Sequence, residues 1–150
     1  MQTQLTAINW AKVITIAVII GLSLFFGING QRQILYACMH ISYCLWWLLE
    51  QKIYPERRKQ IFTEKVDAAG FIGAIIIVGI FYSLPAFLAF TNPTKLSIAA
   101  TATAIPLFYF GSLINTAADI QKTTEKASGV GLVRSGIWSG VRHVNYAGDL

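Results

Sequence analysis

The chain has 150 residues, 55% of them hydrophobic and 13% charged, with twelve Lys and Arg against seven Asp and Glu for a net charge of +5. Soluble domains carry about a quarter of their residues as charged side chains, so this composition, with a mean hydropathy of +0.55, points to a membrane protein. The basic balance calls for no nucleic-acid partner, because the cations fall where membrane topology would put them.

In chain order, the first apolar run is Val13 to Ile28, inside a predicted span of about 11–29. Lys12 precedes it, as in a signal peptide, but Asn29-Gly30-Gln31-Arg32 follows it and offers no small-x-small cleavage pattern. The run therefore reads as an uncleaved span. After the turn-forming Asn29-to-Gln33 linker comes Ile34 to Leu49, a span of about 33–49. Both runs fall short of the ~20 helical residues that cross a bilayer, and need Lys12, Arg32 and Gln33 to snorkel at their ends. A buried helical hairpin in a soluble protein is the alternative for this pair.

Cys38 and Cys44 lie six residues apart in the second run, on different helix faces, which suggests packing rather than a disulfide or a metal pair. His40 is the one histidine in a span. Intramembrane polar groups are functional candidates by default, here as a pigment or haem ligand or a proton donor. A neutral imidazole bonded to a neighbouring helix is the plainer reading, and the preferred one.

Residues 50–67 mix charges with Ile53, Tyr54, Ile61, Phe62 and Val66, as a segment lying on the membrane surface would. Trp46 and Trp47, just ahead, suit the headgroup level. Then come Ala68 to Phe90 (span about 68–90) and, past a short Asn-Pro linker, Leu96 to Ile114 (span about 96–115). Pro85 and Pro106 are expected to bend these helices and free a backbone carbonyl each. Gly70, Gly73 and Gly79, with Ala100 and Ala104, suit close helix packing.

The expectation is thus an all-α polytopic membrane bundle, with four transmembrane helices in residues 1–120 and a cytoplasmic motif segment in 121–150. With four spans, one side receives Lys12, Lys52, Arg57, Arg58, Lys59, Lys65, Lys122, Lys126, Arg134 and Arg142, and the other only Arg32 and Lys95. Ten against two places both termini in the cytoplasm, and gives the lipid bilayer as the first partner.

The final segment, DIQKTTEKASGVGLVRSGIWSGVRHVNYAGDL, is polar and glycine-rich. Its backbone can approach a ligand closely, and Lys122, Arg134 and Arg142 suit phosphate or carboxylate. Trp138 offers a stacking face, Asn145 and Tyr146 hydrogen bonds, and Asp149 an acceptor. By composition, a cradle for an anionic nucleotide and a merely basic membrane flank are about equally good readings.

The order of the residues adds to this. Gly136-x-Trp138-x-x-x-Arg142-His143-x-Asn145-Tyr146-x-Gly148-Asp149 resembles the signature of membrane sterol reductases, steroid 5-alpha reductases and isoprenylcysteine carboxyl methyltransferases. Gln121-Lys122 is similar to a Gln-Lys pair that the reductases carry at the end of the preceding helix, and residues 40–58 are similar to a second-span region of relatives. Together these cover about a third of the chain.

The resemblance implies NADPH as cofactor, delivering hydride to a lipophilic, sterol- or isoprenoid-like substrate. It implies cofactor contacts from Lys122, Trp138, Arg142, His143, Asn145, Tyr146 and Asp149, with Lys122 and Arg142 meeting phosphate. S-adenosylmethionine is the alternative cofactor, and a methyltransferase the alternative enzyme, although Asp149 stands where methyltransferases usually have Glu. No metal is implied.

Val144 replaces the family's common proline, and the helical hairpin that follows Gly-Asp in relatives is not among these residues. The expectation is therefore an N-terminal part of such an enzyme, inactive as 150 residues, or a shortened non-catalytic subunit of a membrane-protein complex.

Overall fold

The structure, a computed structural model, describes residues 2–141 and 143–149. It is all-α apart from one two-residue strand pair, and it divides into two compact units, Met1–Leu96 and Ser97–Leu150.

In the first unit, α1 (Gln4–Phe26) starts at Thr3, whose hydroxyl accepts from the Thr6 N–H. It buries Ala7, Ala11, Thr15 and Ile19 at four-residue spacing, one stripe of a helix. The stripe is narrow and small because another backbone lies against it. Gly79 sits on Ala11, where an added methyl group would lie 3.3 Å from the Ala11 carbonyl oxygen. Small residues that let helix backbones close up are a membrane-protein device.

The third apolar run, Ala68–Thr91, is helical throughout but changes winding. Asp67 caps α4 (Ala68–Ala74) through the Gly70 N–H at 2.8 Å. A π-helical stretch, Ile75–Ile80, and a 3-10 turn, Phe81–Ser83, then lead into α5 (Leu84–Thr91). Pro85 is the physical reason: it lacks an N–H, and its ring crowds the carbonyl four residues back, so regular winding gives way just ahead of it. The loosened Gly79 carbonyl is satisfied from two sides, by Ser83 Oγ at 2.5 Å and by Thr15 Oγ1 of α1 at 3.2 Å. This is the repair expected of a proline-disturbed helix in hydrocarbon.

Helix α2 (Gln31–Ile53) runs past the sequence-based boundary and ends at Tyr54, ahead of the short α3 (Pro55–Gln60). Ile19, Ala37, Ala86 and Phe90, from α1, α2 and α5, form the apolar core. The chain start is tied down by an antiparallel pair, β1 (Gln2–Thr3) with β2 (Lys65–Val66), and by Leu5 N–H donating to Phe62 O at 3.0 Å.

The second unit is built on α6 (Ile98–Ala127), a single 30-residue helix capped by the Ser97 hydroxyl. Pro106 sits inside it without interrupting it. A loop, a 3-10 turn at Gly136–Trp138 and the short α7 (Val144–Asp149) follow.

Three helices among the described residues are long and apolar enough to cross a membrane: Gln4–Phe26, Ala68–Thr91 and Ile98–Ala127. Only 22%, 17% and 0% of their most apolar windows are buried, a degree of apolar exposure that water would not tolerate. Helix α2 has the length, but polar residues at both ends, Gln31 to Gln33 and Glu50 to Lys52, keep it outside that group.

Candidate functional site

In the second unit, the polar end of α6 and the segment after it are joined by side chains of the motif. Gln121 is the hub. Its amide nitrogen donates to Glu125 Oε1 at 2.6 Å and to the Ser135 carbonyl at 3.0 Å, while its oxygen accepts from the Ile137 N–H at 3.1 Å. The Ser135 hydroxyl also donates to Glu125 Oε1, at 2.6 Å. Those bonds hold the Glu125 carboxyl below its ordinary range, the Ser135 bond contributing most and the Gln121 bond next.

Gly136 permits the approach, since its φ of +54° is unfavourable for a side chain and a methyl group there would collide with the Gln121 amide. Trp138 is then laid on α6. Its indole N–H donates to the Ala118 carbonyl at 2.9 Å, and Lys122 Nζ lies 5.3 Å from the ring centroid, within cation–π range.

Helix α7 returns antiparallel to α6, because rising numbers in α7 meet falling numbers in α6. Asn145 Nδ2 reaches Asp119 Oδ1 at 3.2 Å, Asn115 Nδ2 donates to the Asn145 carbonyl at 2.9 Å, and Gly148 touches Gly111 backbone to backbone. His143, at φ 54°, and the exposed Tyr146 stack face to face, 5.3 Å between centroids and 5° between planes.

The structure thus brings Lys122 to Trp138, His143 to Tyr146, and Asn145 to the Asp119 carboxylate. Arg142 lies outside the described residues, as does the side chain of Asp149. Asn145 Oδ1 is buried without a hydrogen-bond partner. A buried acceptor left open is costly, and it suits a donor such as an amide or a hydroxyl. Lys122 against the Trp138 ring, the stacked and exposed His143–Tyr146 pair and the open Asn145 Oδ1 are side chains of the type that an anionic nucleotide uses.

Gln121 entered the sequence analysis only as half of a matching pair, and Asn115, Asp119, Glu125 and Ser135 not at all. Asn115, Asp119 and Lys122 recur at four and three residues, one polar face at the end of an apolar helix, and that spacing is the available signal.

A second polar cluster, in the first unit, was also missed. Lys12 is buried with its ammonium 4.5 Å from the Tyr43 ring centroid. Asn9 Oδ1 accepts from Trp47 Nε1 at 2.9 Å and Gln51 Nε2 at 2.8 Å, and Arg57 pairs with Glu50, both buried. Tyr43, Trp47, Glu50 and Gln51 share one face of α2, again legible by helical spacing. His40 finds its partner within its own helix, as Tyr36 OH lies 2.8 Å from His40 Nδ1, where the sequence suggested a neighbouring helix. Cys38 is exposed and Cys44 buried, both as free thiols.

These features define the class: an all-α membrane protein whose first long helices are locked by buried polar groups and whose last one carries a stapled polar return. The chain belongs to the family described as "Protein of unknown function (DUF1295)", whose model matches residues 2–150 and which is steroid 5-alpha reductase-like. No curated protein and no solved structure matches it.

Proposed function

We propose that this chain carries the cofactor-binding part of a membrane-embedded, NADPH-dependent reductase acting on a lipophilic substrate of sterol or isoprenoid type. The observation that carries the reading is the stapling of Gln121 and Lys122 to the Gly136–Trp138 turn. Two stretches that match the reductase pattern separately in sequence are one contact surface in space.

On this reading Lys122 and Arg142 meet the phosphates. A cation held against an indole face keeps its charge outward and its chain ordered. The His143–Tyr146 pair offers a ring face to the nucleoside, and Asn145 Oδ1 takes a donor from it. Trp138 is a positioning residue, its N–H already committed to α6. When bound, NADPH supplies the hydride. The chain's own part is to hold the dinucleotide at the end of α6, where a substrate lying in the bilayer can reach it.

The membrane arrangement proposed with this function has four spans, α2 being the fourth by length, at about 35 Å for 23 residues. Both termini are cytoplasmic, by the ten-to-two distribution of cations. The cofactor is then drawn from the cytoplasm.

The test is titration of the purified full-length protein with NADPH and, separately, with S-adenosylmethionine. NADPH should bind, and Lys122→Ala and Arg142→Ala should each weaken it about tenfold, the loss of one charge-assisted contact. Binding of S-adenosylmethionine alone would make the protein a methyltransferase. Binding of neither, or wild-type affinity in both variants, would remove the cofactor reading and leave a non-catalytic membrane subunit.

A further inference from the structure

A cleft of about 460 Å³ opens in the first unit between the start of α1 and the segment around α3. Thr3, Leu5, Thr6 and Asn9 form one wall, Pro55, Arg58 and Lys59 another, and Ile61, Phe62 and Thr63 close it. Its lining is mixed in chemistry: Arg58 and Lys59 supply two cations, Thr3, Thr6 and Thr63 hydroxyls, and Leu5, Ile61 and Phe62 apolar surface.

The cations are available. The Arg58 guanidinium has no partner among the described residues, and Lys59 is held only by Glu56, a pair about 70% exposed on both sides that contributes little. Asn9, also in the lining, is held in place by its bonds to Trp47 and Gln51. Glu64, the remaining nearby carboxylate, is bonded by Gln4 Nε2 at 2.9 Å.

The closing wall is also strained. Phe62 has a φ of 49°, unusual for a bulky side chain, and is pinned there by the Leu5–Phe62 and Gln4–Glu64 backbone bonds. Such strain persists where the surroundings over-determine it, and it often marks a ligand clamp. Here it holds an aromatic side chain, 46% exposed, in the lining of a cationic cleft.

We infer that this cleft binds the headgroup phosphate of an anionic phospholipid, with the adjoining glycerol and acyl carbons over Leu5, Ile61 and Phe62. Arg58 supplies a planar fork that matches a phosphodiester, and Lys59 a point charge. A soluble phosphate would use the cations and leave the apolar wall without a role. A phospholipid uses both, at the depth where the ends of α1 and α2 meet headgroups. The inference rests on the membrane-spanning reading of α1 and α2, and is independent of the reductase reading.

The experiment is native mass spectrometry of the full chain recovered from bilayers of mixed phosphatidylglycerol and phosphatidylcholine. The wild type should retain phosphatidylglycerol in preference, and R58Q/K59Q should lower that affinity roughly thirtyfold, each basic residue near an anionic surface giving about a fivefold factor. K126Q, an exposed cation of the second unit, should leave it unchanged, and circular dichroism checks that each variant folds. Equal retention by R58Q/K59Q would overturn the inference. Displacement of the lipid by millimolar inorganic phosphate would also overturn it, marking a site for free anions. A chain that does not co-sediment with the bilayers would overturn it together with the membrane-spanning reading, and NADPH titration would still report on the reductase reading.

Discussion

The two units both end apolar helices in polar surroundings, and they do so with opposite chemistry. In residues 1–96 the polar groups are buried and charged: Lys12 against Tyr43, and Arg57 against Glu50 and over the Trp47 ring. In residues 97–150 the hub is half-exposed and mostly neutral, with Gln121, Ser135 and Trp138 bonded to backbone and to one half-buried carboxylate, Glu125. Buried ion pairs lock geometry, at a severe penalty if one partner is lost, whereas exposed amide bonds hold a segment more weakly and let it adjust. The first plan makes a locked framework, and the second a segment that is freer to adjust.

The largest effect should come from the first unit. Arg57→Leu leaves Glu50 buried opposite an apolar side chain and should cost about 3–5 kcal/mol of unfolding free energy in mild detergent. Glu50→Leu/Arg57→Leu should recover much of it. An additive double variant would break the comparison, since the pair would then not act as a unit.

A middle-sized effect belongs to the Gly111–Gly148 crossing. Alanine in place of a helical glycine ordinarily stabilises, by roughly 0.5–1 kcal/mol. Gly148→Ala should do the reverse, by about 1–3 kcal/mol, because the new methyl group meets the Gly111 carbonyl oxygen. Hydrogen exchange of residues 144–149 reads the loss as faster exchange. Unchanged or slower exchange would mean that α7 is not packed on α6.

The smallest effect is acid-dependent. Glu125 stands past the apolar part of α6, with its folded pKa below the ordinary 4.5, held there by Ser135 first and Gln121 second. A depressed carboxyl stabilises the fold fully above its unfolded pKa, and that contribution fades as pH falls through the folded value. Protection of the 128–138 loop should therefore be flat above about pH 4.5 and decline below it. Glu125→Gln should show no such decline, and a wild-type loop indifferent to acid would remove Glu125 from the hub.

Some of this was legible in the residues and some was not. The apolar runs, the proline disturbance near Pro85 and the cap at Asp67 are local matters, and each could be read from a few neighbours. The register of Gly79 on Ala11 could not, because glycine in an apolar run announces close packing without naming the partner. In the candidate site, Lys122, Trp138, Asn145 and Tyr146 could be picked out by type and order. Gln121 could not be recognised as the hub, since its three partners lie four to sixteen residues away through a loop of irregular course.

By itself the sequence pointed to the solvent and to the long helices of this protein. Too little charge and four apolar runs point to a bilayer as the medium, and helix periodicity needs only short-range information. The tertiary structure alone decided which polar groups meet: Lys12 with Tyr43, the chain start with residues 62–66, Gln121 with the 135–137 turn. The reason is physical. Burial follows from composition summed over a stretch, whereas a hydrogen bond or an ion pair depends on distances of a few ångströms between residues far apart in the chain, and those are fixed only once the helices have packed.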